Sequence, residues 1–156
     1  MSSGNANDSG KTFEYVVGSL LISQNVKWIR GYNTRRKGEY GEDITVDFYC
    51  EKVAGFPEGL YVECRWQESQ GSVDKKNSAL KDNILKHYDK PTIVVCGGSK
   101  VDAGYNVLLG ACRCHGGNLK GVFRLEDFVA FVPSLRNGQA SMQLQKQFNP
   151  DQKDLF

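Results

Sequence analysis

The chain has 156 residues, enough for one domain with a hydrophobic core that needs neither disulfides nor metal to fold. Lys and Arg outnumber Asp and Glu by only 20 to 18, so overall charge alone does not indicate a nucleic-acid partner. An odd cysteine count (five), an N-terminus without an apolar signal segment and the lack of a long apolar run argue against a disulfide framework and a membrane span. We therefore expect a cytoplasmic protein with free thiols and no membrane partner.

Residues 1–10 are polar and rich in Gly, Ser and Asn, and we expect them to form a disordered leader. Apolar residues then recur at helical spacing and predict an amphipathic helix over residues 11–24. The apolar positions are Phe13, Val16, Val17, Leu20 and Leu21. Residues 26–32 are typical of a first strand, and the basic segment after them predicts a glycine-containing loop or hairpin arm.

A β-meander follows, because residues 44–50 and 60–66 are rich in β-branched and aromatic side chains and are separated by a Gly/Pro turn. A helix is predicted over 72–88, with an apolar stripe formed by Leu80, Ile84, Leu85 and Tyr88. The remaining predicted elements are a buried strand at 92–96, a helix at 103–114, a strand at 121–124 and a helix at 125–132. This order predicts an α/β fold with a mixed central sheet flanked by helices, and residues 133–156 are predicted to be a flexible tail.

The strand over residues 60–67 ends in charged and amide side chains. Residues two apart in a strand share a face, so Glu63, Arg65 and Gln67 should converge on one side of the sheet. Asp47 lies sixteen positions before Glu63 on the preceding strand, and a hairpin of this size can bring the two carboxylates together. Two hard oxygen ligands at one point suit Mg²⁺ or Mn²⁺, with waters and a substrate phosphate completing the shell.

The helix containing Glu14, the strand ITVDFYC and the strand LYVECRWQ resemble the PD-(D/E)XK nuclease superfamily. The resemblance implies an α-β-β-β-α-β core, as in restriction endonucleases and Holliday-junction resolvases, within a domain at residues 11–132. It also implies that Asp47 and Glu63 bind the catalytic metal ion and that Arg65 takes the place of the motif lysine. Glu14 and Gln67 match a first-helix glutamate and a polar residue beyond the lysine that many members add. The expected activity is metal-dependent endonucleolytic cleavage of DNA.

Arg65 is the main departure from the family pattern. A buried lysine can lose its proton, whereas arginine stays protonated and could hold the scissile phosphate without acting as a general base. One alternative is that Lys75 or Lys76, at the start of the next helix, supplies the missing ammonium. A second is a catalytically inactive nucleic-acid-binding or subunit protein. A third is that the acids are solvated strand residues paired with Arg65 and without function.

Basic residues near the predicted metal site are candidates for contacts with the DNA backbone. They are Arg30, Arg35, Arg36 and Lys37, interleaved with Trp28, Tyr32 and Tyr40, together with Lys75 and Lys76. Phosphate contacts position a duplex without reading its sequence, and the chain has little room for a separate recognition domain. We therefore expect structure-selective or weakly sequence-specific cleavage in DNA repair, recombination or restriction, with a homodimer where both strands are cut. A solvated hairpin arm is the alternative for the segment 35–37.

The chain ends in QKDLF, which resembles the pentapeptide that binds bacterial sliding clamps (Gln, any residue, Ser or Asp, Leu, Phe). By this resemblance Leu155 and Phe156 would fill an apolar pocket, Gln152 would form hydrogen bonds at its edge, and Asp154 would occupy the third motif position. A flexible tail would then tether the nuclease to the clamp and raise its effective concentration at the nucleoid. A plain disordered end is the alternative.

Overall fold

The computed structural model describes residues 2–68, 72–115 and 117–148. Its elements are α1 (Ser2–Ser23), β1 (Ile29–Lys37), β2 (Asp43–Cys50), β3 (Leu60–Trp66), α2 (Ser72–Lys86), β4 (Thr92–Gly97), α3 (Val101–His115), β5 (Leu119–Arg124), α4 (Leu125–Phe131), α5 (Pro133–Asn137) and α6 (Ala140–Phe148). The predicted α/β class and the predicted order of elements through α4 are confirmed, and two helices follow. Within the described ranges, no helix is long and apolar enough to cross a membrane.

The five strands form one mixed sheet in the order β1-β2-β3-β4-β5. Strand β2 pairs antiparallel with β1 and with β3, whereas β3, β4 and β5 pair parallel. Parallel neighbours need crossover connections, which α2 and α3 provide. Strand β3 therefore lies at the centre of the sheet, between the antiparallel hairpin and the buried parallel strand β4.

Two hydrophobic cores lie on opposite faces of the sheet. The first core packs against α1 and α4 to α6 and includes Val17, Phe48, Val62, Val95 and Phe128. The second core packs against α2 and α3 and includes Tyr61, Ile84, Val94, Leu108 and Cys112. Because Tyr61 and Val62 belong to different cores, the odd-numbered side chains of β3 face α2 and α3.

Helix α1 begins at Ser2, so residues 2–10, expected to be a disordered leader, belong to the helix. Ser, Asn and Gly have low helix propensity, which predicts disorder, but extending an existing helix costs far less than starting one. After α1 ends, the chain turns through a left-handed residue, Asn25 (φ 60°). The Val26 N–H then donates to the Leu21 carbonyl at 3.0 Å. The sequence predicts that β1 starts at Val26. Val26 instead closes the C-terminus of the helix, and β1 starts at Ile29.

Strand β1 continues to Lys37, so of the two predicted alternatives, a loop or a hairpin arm, the basic residues form the hairpin arm. The strand is irregular, with positive φ at Gly31 (61°) and Arg35 (65°) and a register shift between Asn33 and Lys37. A positive φ is easy for glycine but unfavourable for arginine. The Asn33 side chain stabilises the irregular turn by accepting the Arg35 N–H at 2.9 Å.

Residues 133–148 form α5 and α6, so the prediction of a flexible tail from residue 133 was wrong for this part. The segment is mostly polar, but its few apolar side chains enter the first core, with Leu135 and Leu144 only 1 % and 4 % exposed. Gln147 also docks on edge strand β5: the Val122 N–H donates to its Oε1 at 3.0 Å and its Nε2 donates to the Val122 carbonyl at 2.9 Å. This amide takes the place of a neighbouring strand. The domain therefore extends beyond residue 132.

Residues 149–156 lie outside the described part of the chain. They include the four candidate clamp-binding residues, Gln152, Asp154, Leu155 and Phe156. Because α6 ends at Phe148, only residues 149–151 separate this folded helix from the pentapeptide. A tether here would be much shorter than a tail that starts at residue 133.

Leu144→Ala is expected to lower the free energy of unfolding by about 2–4 kcal/mol, because it removes a buried side chain from the first core and leaves a cavity. Met142→Ala, two residues away on the 63 % exposed side of α6, should change it by less than about 0.5 kcal/mol. Urea denaturation of both variants measures the difference. Equal effects of the two substitutions would contradict the docking of α6 on the sheet.

Candidate functional site

Asp47 and Glu63 face each other where the backbone pairing of β2 and β3 ends. The last paired residues of the two strands are Phe48 and Val62. Next to them, side chains replace the backbone ladder: the Asp47 N–H donates to Glu63 Oε1 at 2.8 Å, and the Cys64 N–H donates to Asp47 Oδ2 at 2.7 Å. Each carboxylate is therefore held by the backbone of the opposite strand.

An irregularity in β2 places the Asp47 side chain at this position. Val46 packs in the second core and Phe48 in the first, although residues two apart in a regular strand share a face. Gly31 of β1 lies opposite Asp47, because its neighbours Arg30 and Tyr32 pair with Phe48 and Val46. The positive φ of Gly31 matches the irregularity of β2, so the two strands change face together.

Glu63 is buried and Asp47 is half-buried. Burial raises the pKa of Glu63, which is only 8 % exposed, and the charge of Asp47 raises it further. Burial likewise raises the pKa of Asp47, although the hydrogen bond from the Cys64 N–H partly opposes the shift. Two close and poorly solvated carboxyl groups favour a proton between them, and a divalent cation can take the place of that proton.

Tyr88, just after α2, completes the surroundings of Glu63. Its hydroxyl donates to Glu63 Oε2 at 2.9 Å, so hydrogen bonds reach both oxygens of this carboxylate. The bond lowers the pKa of Glu63 and thus opposes the effect of burial. From sequence, Tyr88 counts only as part of the apolar stripe of α2. A tyrosine in a stripe that faces a predicted buried acid is the signal that could have identified it.

Tyr88→Phe is expected to weaken Mn²⁺ binding at neutral pH by about tenfold, since losing a hydrogen bond to a charged group costs roughly 1.5 kcal/mol and favours protonated Glu63. Tyr61→Phe is the matched control, because the Tyr61 hydroxyl donates to Asp89 Oδ1 at 2.8 Å and not to Glu63. Titration calorimetry with Mn²⁺ compares the two variants. Unchanged affinity in Tyr88→Phe would exclude a role for its hydroxyl at the site.

Arg65 and Gln67 project from the same face of β3 as Glu63. Arg65 Nη2 donates to the Lys76 carbonyl at 3.3 Å, and Gln67 Oε1 accepts from Asn77 Nδ2 at 3.4 Å. Arg65 Nε and Gln67 Nε2 are buried and have no acceptor within the part of the chain that the structure describes. Buried donors without acceptors favour an acceptor-rich group, such as a phosphate, beside the carboxylates.

Glu14 approaches Asp47 from α1, on the other face of the sheet. Its carboxylate pairs with Arg30 Nη2 at 2.7 Å, and its charge contributes to the raised pKa of Asp47. The structure therefore brings Glu14 close to the acid pair but engages it with a cation. Arg30, predicted as a DNA contact, is a partner of a candidate catalytic residue.

The other predicted DNA contacts on β1 lie away from Arg30. Arg35, Arg36 and Lys37 are exposed. Lys37 forms an ion pair with Asp43, and Arg36 Nε lies 3.5 Å from the His87 carbonyl beyond α2. The predicted basic cluster is thus divided, with Arg30 directed to α1 and Arg36 directed to the end of α2.

Lys75 and Lys76, considered as substitutes for the motif lysine, are exposed in the first turns of α2. It is the backbone carbonyl of Lys76, and not its ammonium, that contacts Arg65. The charge of Arg65 acts on both acids. It lowers the pKa of Asp47 and of Glu63, but burial raises each pKa by more.

The carboxylate pair fits a metal ion of the Mg²⁺ type better than a metal held by protein ligands alone. Among the side chains that the structure describes, no three from His, Cys, Asp or Glu form a group that could hold a metal. Mg²⁺, however, is commonly bound through one or two carboxylates, with waters and substrate phosphates as its other ligands. Within residues 2–68, 72–115 and 117–148, no residue donates a hydrogen bond to Asp47 Oδ1, which leaves this oxygen available to a cation.

The antiparallel part of the mixed sheet brings two carboxyl groups together beside a basic side chain, and such groups could bind a divalent cation and a phosphate. A family model described as a PD-(D/E)XK nuclease superfamily domain matches residues 5–134. The chain belongs to this superfamily, and its membership indicates a nuclease-type function. Neither the curated proteins nor the solved structures include a significant match.

Proposed function

We propose that this protein is a divalent-metal-dependent DNA endonuclease that hydrolyses phosphodiester bonds, with structure-selective or weakly sequence-specific cleavage. The observation that supports this most strongly is the close pair formed by half-buried Asp47 and buried Glu63, each hydrogen-bonded to the other's strand. A buried pair of acids is costly unless a cation balances it, and a metal site accounts for that cost. The setting would be DNA repair, recombination or restriction in the cytoplasm, close to the nucleoid.

In this proposal Asp47 and Glu63 hold Mg²⁺ or Mn²⁺. When bound, such an ion polarises the phosphodiester and lowers the pKa of an attacking water. Arg65 and Gln67 supply the buried donors that bind the scissile phosphate and stabilise the charge that develops on it. Arg65 remains protonated throughout, so the proton of the water must leave to solvent or to a phosphate oxygen.

The second candidate is a catalytically inactive DNA-binding or subunit protein. It is favoured by Arg65, which stands where the family pattern has lysine and donates to the Lys76 carbonyl. A guanidinium held by α2 is a good phosphate ligand but a poor acid or base. In such a protein the two carboxylates would no longer take part in catalysis, and their charge would be balanced by Arg65 or by a proton.

Two partners besides DNA belong to the proposal. The pentapeptide with Gln152, Asp154, Leu155 and Phe156 would bind a sliding clamp and place the nuclease on replicating or repaired DNA. With residues 149–151 as the linker, the enzyme would sit directly against the clamp. A homodimer would allow both strands of a duplex to be cut.

The test is cleavage of labelled duplex, nicked, branched and single-stranded DNA with Mg²⁺ or Mn²⁺, using the wild type and Arg65→Lys. Cleavage by the wild type that requires metal is the expected result, and the substrate cut fastest identifies the preferred structure. An inert wild type together with an active Arg65→Lys would instead indicate a disabled nuclease, the second candidate. Absence of both cleavage and salt-dependent DNA binding would overturn both candidates.

A further inference from the structure

A cleft of about 300 Å³ lies between α1 and β1, beside the candidate active site. Its lining residues are Tyr15, Ser19 and Ile22 of α1, Trp28, Phe48 of β2, and the Glu14–Arg30 ion pair. This volume is at the lower limit of small-molecule sites, roughly 300–1,000 Å³, and suits a single planar ring system.

The inner wall of the cleft is rigid. The Trp28 indole N–H donates to the Gly18 carbonyl at 2.9 Å, and the Trp28 ring meets the Phe48 ring edge-on with centroids 4.9 Å apart. A Cβ at Gly18 would lie 3.1 Å from Trp28 Cζ2 and 3.2 Å from Phe48 Cε1. Glycine is therefore the residue that lets α1 approach the two rings and leaves the cleft preformed.

The outer wall exposes apolar surface without a partner among the described residues. Tyr15 is 72 % and Ile22 51 % exposed, and with Ser19 between them they form a stripe along one side of α1. Arg30, half exposed and paired through Nη2 with Glu14, places a guanidinium at the end of the same cleft. Aromatic rings combined with a cation are suited to a nucleotide, since a base stacks on an aromatic ring and its phosphate pairs with arginine.

Neighbouring residues connect the cleft to the carboxylate pair, although neither carboxylate lines it. Phe48 directly follows Asp47 in β2, and Arg30 of β1 is paired with Phe48. Glu14, at the same end of the cleft, lies close enough to Asp47 for its charge to affect that carboxyl group. A nucleotide in the cleft would therefore neighbour the one whose phosphate a metal ion on Asp47 and Glu63 would bind.

We infer that this cleft binds one unpaired nucleobase of the DNA substrate, stacked on Tyr15, with a neighbouring phosphate on Arg30. A base inside a duplex is stacked between its neighbours and would have to leave the helix to enter, at a cost in unstacking energy. The cleft thus selects DNA in which the nucleotide next to the scissile phosphate is already unpaired, such as a flap, an overhang or a bulge. This inference rests on the proposed nuclease function and specifies its substrate class.

Fluorescence anisotropy in EDTA, where metal-dependent cleavage cannot occur, tests the inference on the full chain. The three probes are a labelled blunt duplex, the same duplex with a short thymidine overhang, and the overhang with abasic nucleotides. The wild type should bind the thymidine overhang about tenfold more tightly than either other probe, as expected for one stacked base. Tyr15→Phe should keep this preference and Tyr15→Leu should lose it, whereas Met142→Ala on the opposite edge of the sheet should keep it.

Three results would overturn the inference. Equal affinity for all three probes, or an unchanged preference in Tyr15→Leu, would exclude base stacking in the cleft while leaving the proposed nuclease function intact. A change from dimer to monomer in Tyr15→Leu, measured by light scattering, would show that the stripe on α1 contacts a second copy of the chain. Failure to bind any probe, together with failure to cleave DNA, would remove the proposed function and this inference with it.

Discussion

Asp47→Asn is expected to reduce metal-dependent DNA cleavage by at least about 10³-fold, because a cation site with one remaining carboxylate loses several kcal/mol of charge stabilisation in the transition state. The substitution conserves shape and keeps an oxygen that can accept the Cys64 N–H now bound at 2.7 Å. The fold should therefore be retained. Initial cleavage rates on the preferred substrate, at saturating Mg²⁺, measure the loss.

The same variant should be more stable than the wild type in the absence of metal. Removing the half-buried acid relieves both the partial desolvation of its charge and the repulsion with Glu63, which we expect to raise Tm by roughly 2–4 °C per kcal/mol gained. Glu58→Gln is the control, since Glu58 is exposed and distant from the pair. A variant that cleaves within tenfold of the wild type would show that the chemistry does not depend on Asp47.

The sequence predicts that Asp47 and Glu63 lie close together, because strand geometry determines this placement. Side chains alternate along β3, so Glu63, Arg65 and Gln67 must share a face, and contacts with Tyr88, Lys76 and Asn77 place that face against α2. Strands β2 and β3 are antiparallel neighbours, as expected for two strands joined by a Gly/Pro turn. These relations need only local periodicity and hairpin length.

The sequence does not predict the details that make the site work, because they depend on distant partners. The irregularity at Asp47 is matched by Gly31 on another strand, and the Tyr88 hydroxyl reaches Glu63 from 25 positions away. The docking of α6 has the same character, since the Gln147 amide binds Val122 across 25 positions. Polar side chains with specific buried partners resemble solvated ones until the fold brings the partners together.

The metal-free protein is expected to lose stability as the pH rises from about 5 to 8. The pKa values of Asp47 and Glu63 are raised in the folded state, by burial first, so folding takes up protons in this range. A raised carboxyl pKa contributes stability below the ordinary value for an acid, and this contribution is lost as the pH passes through the raised value. A double variant, Asp47→Asn with Glu63→Gln, should show a flatter dependence of Tm on pH.

Mg²⁺ should reverse this dependence, because the ion binds the deprotonated pair and competes with its protons. The increase in Tm on adding millimolar Mg²⁺ is expected to be small near pH 5.5 and large near pH 8, with affinity rising at most tenfold per pH unit for each proton displaced. Differential scanning fluorimetry of the wild type and the double variant, with and without Mg²⁺, measures both effects. If Mg²⁺ stabilises the two proteins equally at each pH, the ion binds elsewhere, and the carboxylate pair would have to be regarded as a proton-sharing remnant balanced by Arg65.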